Sequence, residues 1–352
     1  IIKMSKSILN FAGRKIGQSY KPLIIPEMGI NHGGSLKVAF KIVDAAKKCG
    51  AEIIKHQTII PDEDMSSESK NIKLKALGKK NLYDLLKKLS LNEEEEYKLK
   101  NYVEKKSMIY LSTPFSRAGV DRLVKIGVKL FKIGSGEFSN IPLLKYAAKF
   151  NKPMILSTGM HNLSQILNVI KKIKKINNKF ALLHCTSIYP TPNKHIRLNS
   201  ISQMRKKFNY VIGLSDHTQN CYSSFGAVAL GACIIEKHFV DRKTRIGPDI
   251  NSSIDTKGLK ELIDGCNAIF EQRGGDKSQL LRDEEKTKKF AFASIASVKF
   301  IQKGEKFTKN NIFLKRPGNG QLKVGDFNKI LGKRSRINIV KNIQIKKKWI
   351  IK

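Results

Sequence analysis

The sequence predicts a (β/α)8 barrel followed by a small, mostly β domain. Two observations in the 352-residue chain predict the barrel. Eight short apolar runs alternate with amphipathic segments whose apolar residues are spaced three and four apart, as in 35–50. Nearly every run ends in polar side chains at its C-terminal side, and in a closed barrel these ends form one rim. A third observation, the loss of this alternation near residue 272, predicts where the first domain ends.

The eight apolar runs are typical of strands buried on both faces of a parallel sheet. They are LIIPEMG (23–29), EIIKHQT (52–58), MIYLSTP (108–114), LFKIGSG (130–136), PMILSTG (153–159), FALLHCT (180–186), YVIGLSD (210–216) and CIIEKHF (233–239). Eight βα units match the size of a closed barrel. A doubly wound open sheet is the structural alternative, although no GxGxxG motif follows the first run.

The remaining segments divide the chain further. The stretch 271–289 is polar and lacks a periodic apolar face, and beyond it short apolar runs are separated by glycine turns. We therefore expect an N-terminal extension at 1–20, the barrel at 21–272, a linker at 273–290 and a second domain at 291–352. Because the chain begins with Ile rather than Met, Met4 is a candidate start.

The composition is strongly basic, with 67 Lys and Arg against 29 Asp and Glu and a net charge of +38. Such a charge suggests nucleic-acid binding, but the excess is mostly lysine spread along helices and loops, without an aromatic-interleaved basic motif. We expect no specific nucleic-acid partner and a field that attracts small anionic substrates. Five cysteines without a CxxC motif favour the reducing cytoplasm. No apolar run approaches the roughly 20 residues of a membrane span, so we expect no membrane partner.

Two histidines, His217 and His238, stand at the ends of the seventh and eighth apolar runs. Neighbouring strands of a barrel bring such ends together, and two neutral imidazoles suit a divalent transition-metal ion that also binds substrate oxygens. Glu236 is a candidate for a water-mediated ligand or a partner of the ligands. The alternative is that both histidines are hydrogen-bonded rim residues without a metal.

Several strand ends combine one ammonium group with hydroxyls, and this combination fits a phosphate or a carboxylate. The residues are Thr113, Lys132, Ser135, Ser157 and Ser215, with backbone N–H groups of GSGE at 134–137. Ordinary turn chemistry is the alternative, because Ser and Gly fill βα loops in any case.

Two carboxylates complete the candidate residues. Glu27 ends the first run and is suited to acid–base work, and Asp249 follows the last run. A helix N-cap in NHGGS and a turn at Pro-Asp are the alternatives for these two segments.

A set of motifs resembles one known family. The motifs are PEMGINHGGS (26–35), KHQT (55–58), LSTPFSRAG (111–119), FKIGSGE (131–137), ILSTGM (155–160), LLHCTSIYPTP (182–192), GLSDHT (213–218), GAVALGACIIEKHF (226–239), GPDI (247–250), FAFAS (290–294) and KRPGNG (315–320). Over roughly residues 20–345 the chain closely resembles bacterial N-acetylneuraminate (sialic acid) synthases. The resemblance implies a (β/α)8 barrel followed by an antifreeze-protein-like (SAF) domain that reaches the other subunit of a domain-swapped homodimer.

The resemblance also implies a reaction and residue roles. Phosphoenolpyruvate condenses with open-chain N-acetylmannosamine and water to give N-acetylneuraminate and phosphate. His217 and His238 would bind Mn²⁺, with Mg²⁺ or Co²⁺ as other possibilities, and Glu27 would handle or orient the water. The phosphate would bind Thr113, Lys132, Ser135, Ser157 and Ser215, and phosphoenolpyruvate would be placed by Lys55 and Gln57. Tyr189 and Asp249 resemble sugar contacts, and Phe292 and the catalytic Arg316 of the partner subunit would close the site.

Two departures from the family pattern affect the rim. Ser187 stands where the family usually has Asn near the phosphate, and SGEFSN (135–140) replaces SGECNN, so that Phe138 and Ser139 differ. The same reaction on a 2,4-diacetamido sugar, giving legionaminic or pseudaminic acid, is an alternative, although the KHQT and IYPTP forms favour N-acetylmannosamine. A basic binding protein with a degenerate barrel is the alternative from another functional class.

Overall fold

The structure is a computed structural model that describes residues 7–72, 81–278 and 280–351. It divides into two compact units, one ending at Gly274 and the other beginning at Gly275.

A parallel sheet of eight strands forms the centre of the first unit, after a hairpin of β1 (Leu9–Phe11) and β2 (Arg14–Ile16). Its strands, β3 to β10, are Leu23–Gly29, Ile53–Thr58, Ile109–Pro114, Phe131–Ile133, Met154–Ser157, Phe180–Cys185, Val211–Asp216 and Ile234–His238. Their order is β5-β4-β3-β10-β9-β8-β7-β6, and β5 and β6 are adjacent in space, so the sheet closes on itself. This arrangement confirms the predicted (β/α)8 barrel and all eight predicted strands.

Helices cover the outside of the barrel. They are α1 (Leu36–Lys48), α2 (Pro61–Asp64), α3 (Leu82–Leu89), α4 (Glu93–Lys105), α5 (Arg117–Lys125), α6 (Ile141–Ala148), α7 (Leu163–Ile173), α8 (Asn199–Lys207), α9 (Tyr222–Ala229) and α10 (Thr256–Gln272). Their apolar faces follow the helical period: α1 buries Ala39, Ile42, Val43 and Ala46 against the strands. The Ser35 side chain caps α1 by accepting a hydrogen bond from the Val38 N–H. The N-cap interpretation of NHGGS is therefore correct for Ser35.

The apolar core of this unit has two parts, because strand residues alternate between the two faces of the sheet. Outward-facing residues such as Ile24 and Ile54 pack beneath the helices. Inward-facing residues such as Leu23 and Ile25 fill the barrel interior together with Leu9, Phe11 and Ile16 of the β1–β2 hairpin. The hairpin, which lies within the predicted N-terminal extension, thus contributes apolar side chains to the interior core.

The second unit is a small domain built around two antiparallel strand pairs. Strands β11 (Ser294–Ser297) and β12 (Ile312–Lys315) pair antiparallel, as do β13 (Arg334–Ser335) and β14 (Ile350–Ile351). Their core is a cluster of buried residues: Ile295, Ile301, Phe307, Ile312, Leu322, Ile330, Ile339 and Ile345. Two short helices, α11 (Glu284–Ala291) and α12 (Phe327–Ile330), complete the unit, and α11 begins within the segment predicted as a linker.

The helices are short relative to a lipid bilayer. Among the described residues, none is both long enough and apolar enough to span a membrane.

Candidate active site

A cavity of about 280 Å³ opens at the C-terminal ends of the barrel strands. In a parallel barrel these ends share one rim, so residues that are distant in sequence meet there. The cavity brings together most of the predicted site residues: Glu27, Lys55, Gln57, Thr113, Lys132, Ser135, Ser157, Ser187, Tyr189, Ser215, His217 and His238. It also contains Glu236, Cys185, Phe115 and Met160.

Four buried charged side chains alternate in sign across the cavity floor. The Lys55 Nζ lies 2.7 Å from the Glu27 Oε2 and 3.9 Å from the Glu236 Oε2. The Lys132 Nζ lies 3.5 Å from the Glu236 Oε1. All four side chains are almost fully buried, so their charges interact in a medium of low polarity. We call Glu27, Lys55, Glu236 and Lys132 the inner charge cluster.

The inner charge cluster changes the proton affinity of its members. Burial raises the pKa of Glu27 to about 7, although Lys55 acts in the opposite direction. Burial would raise the pKa of Glu236 as well, but Lys132 and Lys55 outweigh burial and lower it. Burial also lowers the pKa of Lys132, with Glu236 acting against the shift. Near neutral pH, Glu27 can therefore take up or release a proton while Glu236 stays ionised.

Hydroxyl groups surround the two lysines. The Lys132 Nζ donates a hydrogen bond to the Ser157 Oγ at 2.8 Å, and the Lys55 Nζ donates one to the Thr113 Oγ1 at 3.2 Å. The Ser215 Oγ donates to the Glu236 Oε1 at 3.0 Å. Two ammonium groups with several hydroxyls form a concave surface that can bind a phosphate or a carboxylate.

Gly159 allows the backbone to lie close to the hydroxyls of Ser135 and Ser187. The Ser135 Oγ accepts a hydrogen bond from the Gly159 N–H at 3.0 Å. A Cβ atom at Gly159 would lie only 2.5 Å from the Ser187 Oγ and 2.6 Å from the Ser135 Oγ. A side chain at this position would therefore displace the two hydroxyls from the cavity wall.

The predicted metal ligands are neighbours: His217 directly follows β9, His238 ends β10, and their ring centroids are 5.5 Å apart. The Tyr189 ring lies 4.1 Å from the His217 ring. The His217 Nδ1 is 3.0 Å from the Thr186 carbonyl oxygen, which orients this ring and leaves its Nε2 for another partner. The His238 Nδ1 lies 3.9 Å from the Asp249 Oδ2, outside hydrogen-bond distance. Asp249 is thus next to the histidines, at the edge of the site.

The proton affinities of the two histidines differ. Burial and the positive charge of His217 hold the pKa of His238 well below its usual range, so this imidazole is neutral. Burial would also lower the pKa of His217, but the adjacent Cys185 sulfur and the Thr186 carbonyl outweigh burial and raise it.

The donor atoms around these two rings determine whether they could hold a metal ion. Among residues 7–72, 81–278 and 280–351, no three His, Cys, Asp or Glu side chains form a group that could hold a metal ion. The buried His238 Nδ1 and Glu236 Oε2 have no hydrogen-bond partner among the described residues. Two imidazoles, one of which has an unpaired ring nitrogen, fit an ion whose remaining ligands are water and substrate oxygens.

The alternation of side chains along each strand separates functional from structural residues near the rim. His56 and His184 belong to the polar strand ends but face away from the cavity: the His56 Nδ1 is 3.0 Å from the Tyr110 hydroxyl, and the His184 Nε2 is 2.7 Å from the Ile196 carbonyl oxygen. Cys185, the neighbour of His184, faces the cavity and was not predicted. The two-residue period of a strand could have predicted it, because Ser187 is two residues further along.

The departure at Phe138 affects the core rather than the cavity. Phe138 is fully buried and contacts the His161 ring edge to face, with the ring centroids 5.1 Å apart. Ser187, the other departure, does line the cavity. Two further predicted residues, Phe292 and Arg316, belong to the second unit, where both are exposed.

Comparison with known proteins identifies the family. Residues 42–278 match the NeuB family, and residues 292–348 match the SAF domain. The chain belongs to the NeuB family. Enzymes of this family form nonulosonic acids, and the SAF match confirms the predicted antifreeze-like domain after the barrel.

Curated relatives and solved structures agree with this assignment. The chain is 38% identical to the N,N'-diacetyllegionaminic acid synthase of Campylobacter jejuni, over 89% of this chain and 95% of the relative. It is 31% identical to the N-acetylneuraminate-9-phosphate synthase of Homo sapiens, over 76% of each chain. A crystal structure of the N-acetylneuraminic acid synthetase of Leptospira borgpetersenii in complex with citrate is similar, with a TM-score of 0.72, 31% identity and coverage of 80% of this chain and 96% of that one.

Proposed function

We propose that this NeuB-family enzyme condenses phosphoenolpyruvate with an open-chain N-acetylated hexosamine and water, releasing phosphate. The C3 carbon of phosphoenolpyruvate forms a bond to the sugar aldehyde carbon, whose oxygen takes up a proton. Water adds at C2, and the tetrahedral intermediate then loses phosphate as the C2–O bond breaks. The observation that carries this proposal is the placement of a buried anion-binding surface beside two histidines and a carboxylate with a pKa of about 7.

The anion-binding surface supports the phosphoenolpyruvate part of the proposal. Lys55 and Lys132 supply two positive charges, and the hydroxyls of Thr113 and Ser157 already hydrogen-bond to them. Phosphoenolpyruvate carries a phosphate and a carboxylate, so two ammonium groups can neutralise both ends. Because the cavity is small and the lysines are buried, these contacts are stronger than they would be in water.

Glu27 is the group we assign to the water. Its pKa of about 7 is suited to accepting the proton of the attacking water at neutral pH. The Gln57 Nε2 donates a hydrogen bond to the Glu27 Oε1 at 2.9 Å, which orients the carboxyl group towards the cavity. Glu27 also lies opposite His238 in the strand register, on the side of the cavity that we assign to the sugar.

We assign a divalent ion, Mn²⁺ in the first instance with Mg²⁺ or Co²⁺ as substitutes, to His217 and His238. When bound, it would act as a Lewis acid on the sugar carbonyl. Tyr189 and Asp249, which lie beside these histidines, are then the sugar contacts on the same side of the cavity.

Two sugars have support. The KHQT and IYPTP motifs favour N-acetylmannosamine, which would give N-acetylneuraminate. The 38% identity to a legionaminic acid synthase favours a 2,4-diacetamido sugar, since the human N-acetylneuraminate-9-phosphate synthase is 31% identical. The reaction at the aldehyde is the same for both, and the substrates differ in groups remote from it.

The second unit has a proposed role in a homodimer. We assign Arg316 and Phe292 of a domain-swapped partner subunit to the N-acetyl end of the sugar. An Arg316→Ala variant should then raise the KM for the sugar, while an increase confined to the KM for phosphoenolpyruvate would contradict the assignment. We also assign the enzyme to the cytoplasm, because its five cysteines are free thiols.

Phosphate release from phosphoenolpyruvate tests the proposal directly. The assay combines the full-length chain with N-acetylmannosamine or a 2,4-diacetamido sugar, and Mn²⁺ with or without EDTA. Release that depends on one sugar and stops with EDTA would support the reaction, the metal and that sugar. A folded protein that releases no phosphate with any of these sugars would contradict the reaction and favour the basic binding protein, whose nucleic-acid binding would weaken with salt.

A further inference from the structure

An ion pair lies on the outer face of β9 and β10, behind the two histidines. The Lys237 Nζ is 3.0 Å from the Asp216 Oδ2, and both side chains are fully buried. Asp216 precedes His217 and Lys237 precedes His238, and the two residues are register partners in the parallel sheet. Because strand side chains alternate, the ion pair and the histidines occupy opposite faces of the same two strand ends.

Hydrogen bonds saturate the Asp216 carboxylate. Its Oδ1 accepts from the Thr218 N–H and the Thr218 hydroxyl, each at 2.9 Å. Its Oδ2 accepts from the Ser223 and Ser224 hydroxyls, each at 2.7 Å. Ser223 and Ser224 belong to the first turn of α9, so the carboxylate joins the end of β9 to the helix that follows it.

Lys237 connects the two strands beyond the ion pair itself. Its Nζ donates a hydrogen bond to the Thr218 carbonyl oxygen at 2.6 Å and contacts the Thr218 hydroxyl at 3.2 Å. Thr218 directly follows His217. The Lys237 ammonium group, on the strand of His238, therefore contacts both chain neighbours of His217. It pairs with the Asp216 carboxylate before it and donates a hydrogen bond to the Thr218 carbonyl after it.

Stability alone is a weak explanation for this ion pair. Burying two charges costs free energy of desolvation, and well-packed apolar residues in their place are often as stable or more stable. A metal centre, in contrast, requires its ligands to be held within about 0.2 Å of their positions, and groups behind the ligands contribute to this. Within the part of the chain that the structure describes, the proposed site has two histidines as direct protein ligands, so their relative position matters more than in a site with four.

We infer that Asp216 and Lys237 are positioning residues that set the distance and orientation of His217 relative to His238 for a divalent ion. This inference rests on the metal centre of the proposed function. It assigns a role to two buried charges that contact neither the cavity nor, on this arrangement, the substrate. The expected consequence of breaking the Asp216–Lys237 ion pair is weaker metal binding.

Mn²⁺ binding to the full-length chain tests this role without the need for turnover. Three variants are compared with the wild type by titration calorimetry and by the electron paramagnetic resonance signal of free Mn²⁺, and each melting temperature is recorded. Lys237→Met removes the ion pair and leaves the Asp216 carboxylate without a positively charged partner. Asp216→Asn/Lys237→Met also removes the ion pair but leaves no unpaired buried charge. Val228→Ala, a fully buried position of α9 outside the network, controls for lost packing.

The expected result separates stability from metal affinity. Lys237→Met should bind Mn²⁺ about 10- to 100-fold more weakly and melt at a lower temperature. The double variant should recover melting temperature while its Mn²⁺ affinity stays low. Val228→Ala should lose melting temperature and keep wild-type affinity.

Two outcomes would overturn the inference, and they differ from a failure of the proposed function. If Mn²⁺ affinity recovers together with melting temperature in the double variant, the pair acts only through folding. If Lys237→Met binds Mn²⁺ with the affinity of the wild type, the ion pair does not position the histidines. A wild-type chain that binds no Mn²⁺ would refute the metal centre itself, and the positioning role with it.

Discussion

Two buried charge clusters occupy opposite faces of the barrel sheet, and they differ in how completely they are paired. On the outer face, Asp216 accepts hydrogen bonds at both carboxylate oxygens and pairs with Lys237 at 3.0 Å. In the inner charge cluster, Glu236 accepts a hydrogen bond at Oε1, while its Oε2 has no hydrogen-bond partner among the described residues. Both carboxylate oxygens of the outer cluster have hydrogen-bond donors, whereas the inner cluster keeps a carboxylate oxygen that can still accept a hydrogen bond.

This difference separates structural charges from functional ones. Leaving a buried polar atom without a partner costs roughly 1–3 kcal/mol, so such atoms are rare unless a ligand uses them. The inner cluster borders a cavity of about 280 Å³ in which water or substrate can complete the missing contacts. In the outer cluster, protein groups make all of the contacts of the Asp216 carboxylate, and we expect it to affect the site only through the backbone.

The largest expected effect comes from exchanging a histidine on the inner face. We expect His217→Ala to lower turnover by more than about 10³-fold, because the proposed metal ion would lose a ligand and its Lewis-acid assistance would be worth several kcal/mol. The variant should stay folded, since His217 is not part of the apolar core. Phosphate release and thermal unfolding measure the two effects.

His184→Ala is the matched exchange on the outer face. His184 hydrogen-bonds to the Ile196 carbonyl and lies outside the cavity, so we expect a lower melting temperature and turnover within a few-fold of the wild type. A loss of turnover as large as that of His217→Ala would show that the two faces are not functionally distinct.

The next largest effect concerns the outer ion pair. We expect Asp216→Asn to lower the free energy of unfolding by about 3–5 kcal/mol, because it leaves Lys237 buried without its negative partner. Glu236→Gln, the corresponding exchange on the inner face, should cost less stability, since cavity water can solvate Lys132. Denaturant unfolding of both variants makes the comparison, and a greater loss for Glu236→Gln would reverse the proposed distinction.

The pH dependence of stability should have opposite signs for Glu27 on the inner face and Asp216 on the outer face. Burial raises the pKa of Glu27 from 4.5 to about 7, so between these values the folded chain holds a proton that the unfolded chain has released. Stability contributed by this group therefore falls by roughly 3 kcal/mol as the pH rises from 4.5 to 7. In Glu27→Gln this fall should be absent, as measured by denaturant unfolding across that range.

Asp216 should act in the other direction. Burial would raise its pKa, but Lys237 and the hydrogen bonds outweigh burial and lower the pKa below the ordinary 3.8. Its contribution to stability is therefore complete above pH 3.8 and is lost as the pH falls through the lowered value. Asp216→Asn should lose less stability than the wild type on acidification, and an unchanged acid profile would contradict this.

The smallest expected effect is at Ser187, in the cavity wall. We expect Ser187→Asn to restore an amide contact near the phosphate and to lower the KM for phosphoenolpyruvate by about five-fold, equivalent to about 1 kcal/mol. Steady-state kinetics with varied phosphoenolpyruvate measure the change. A raised KM would indicate that the larger side chain collides with the chain near Gly159, where Ser187 is already close.

Sequence pattern was sufficient for the strands and for much of the cavity lining. The eight apolar runs correspond to β3 to β10, and the polar residues at their ends converge because parallel strands share one direction. The pattern was less informative about which face each end residue occupies. His56 and His184 stand among the polar strand ends as His217 does, yet they face the helices.

The face of the sheet on which an end residue lies depends on the register and twist of the closed sheet. Packing between distant segments sets both. The pairing of Asp216 with Lys237, and of Glu27 with His238, is a register property that no local segment specifies. The same applies to the inner charge cluster, in which Glu27, Lys55, Lys132 and Glu236 come from four different strands.

Local sequence therefore determined the order of strands and helices, the polar rim and the identity of the chemical groups on it, because the periods of strands and helices arise from neighbouring residues. Only the tertiary structure decided which of those groups meet, which are left unpaired and which are closed off behind the strands. These properties depend on distances between residues far apart in the chain. The raised pKa of Glu27 is an example, since burial by the whole barrel and the nearby charges of Lys55 and Glu236 set it together.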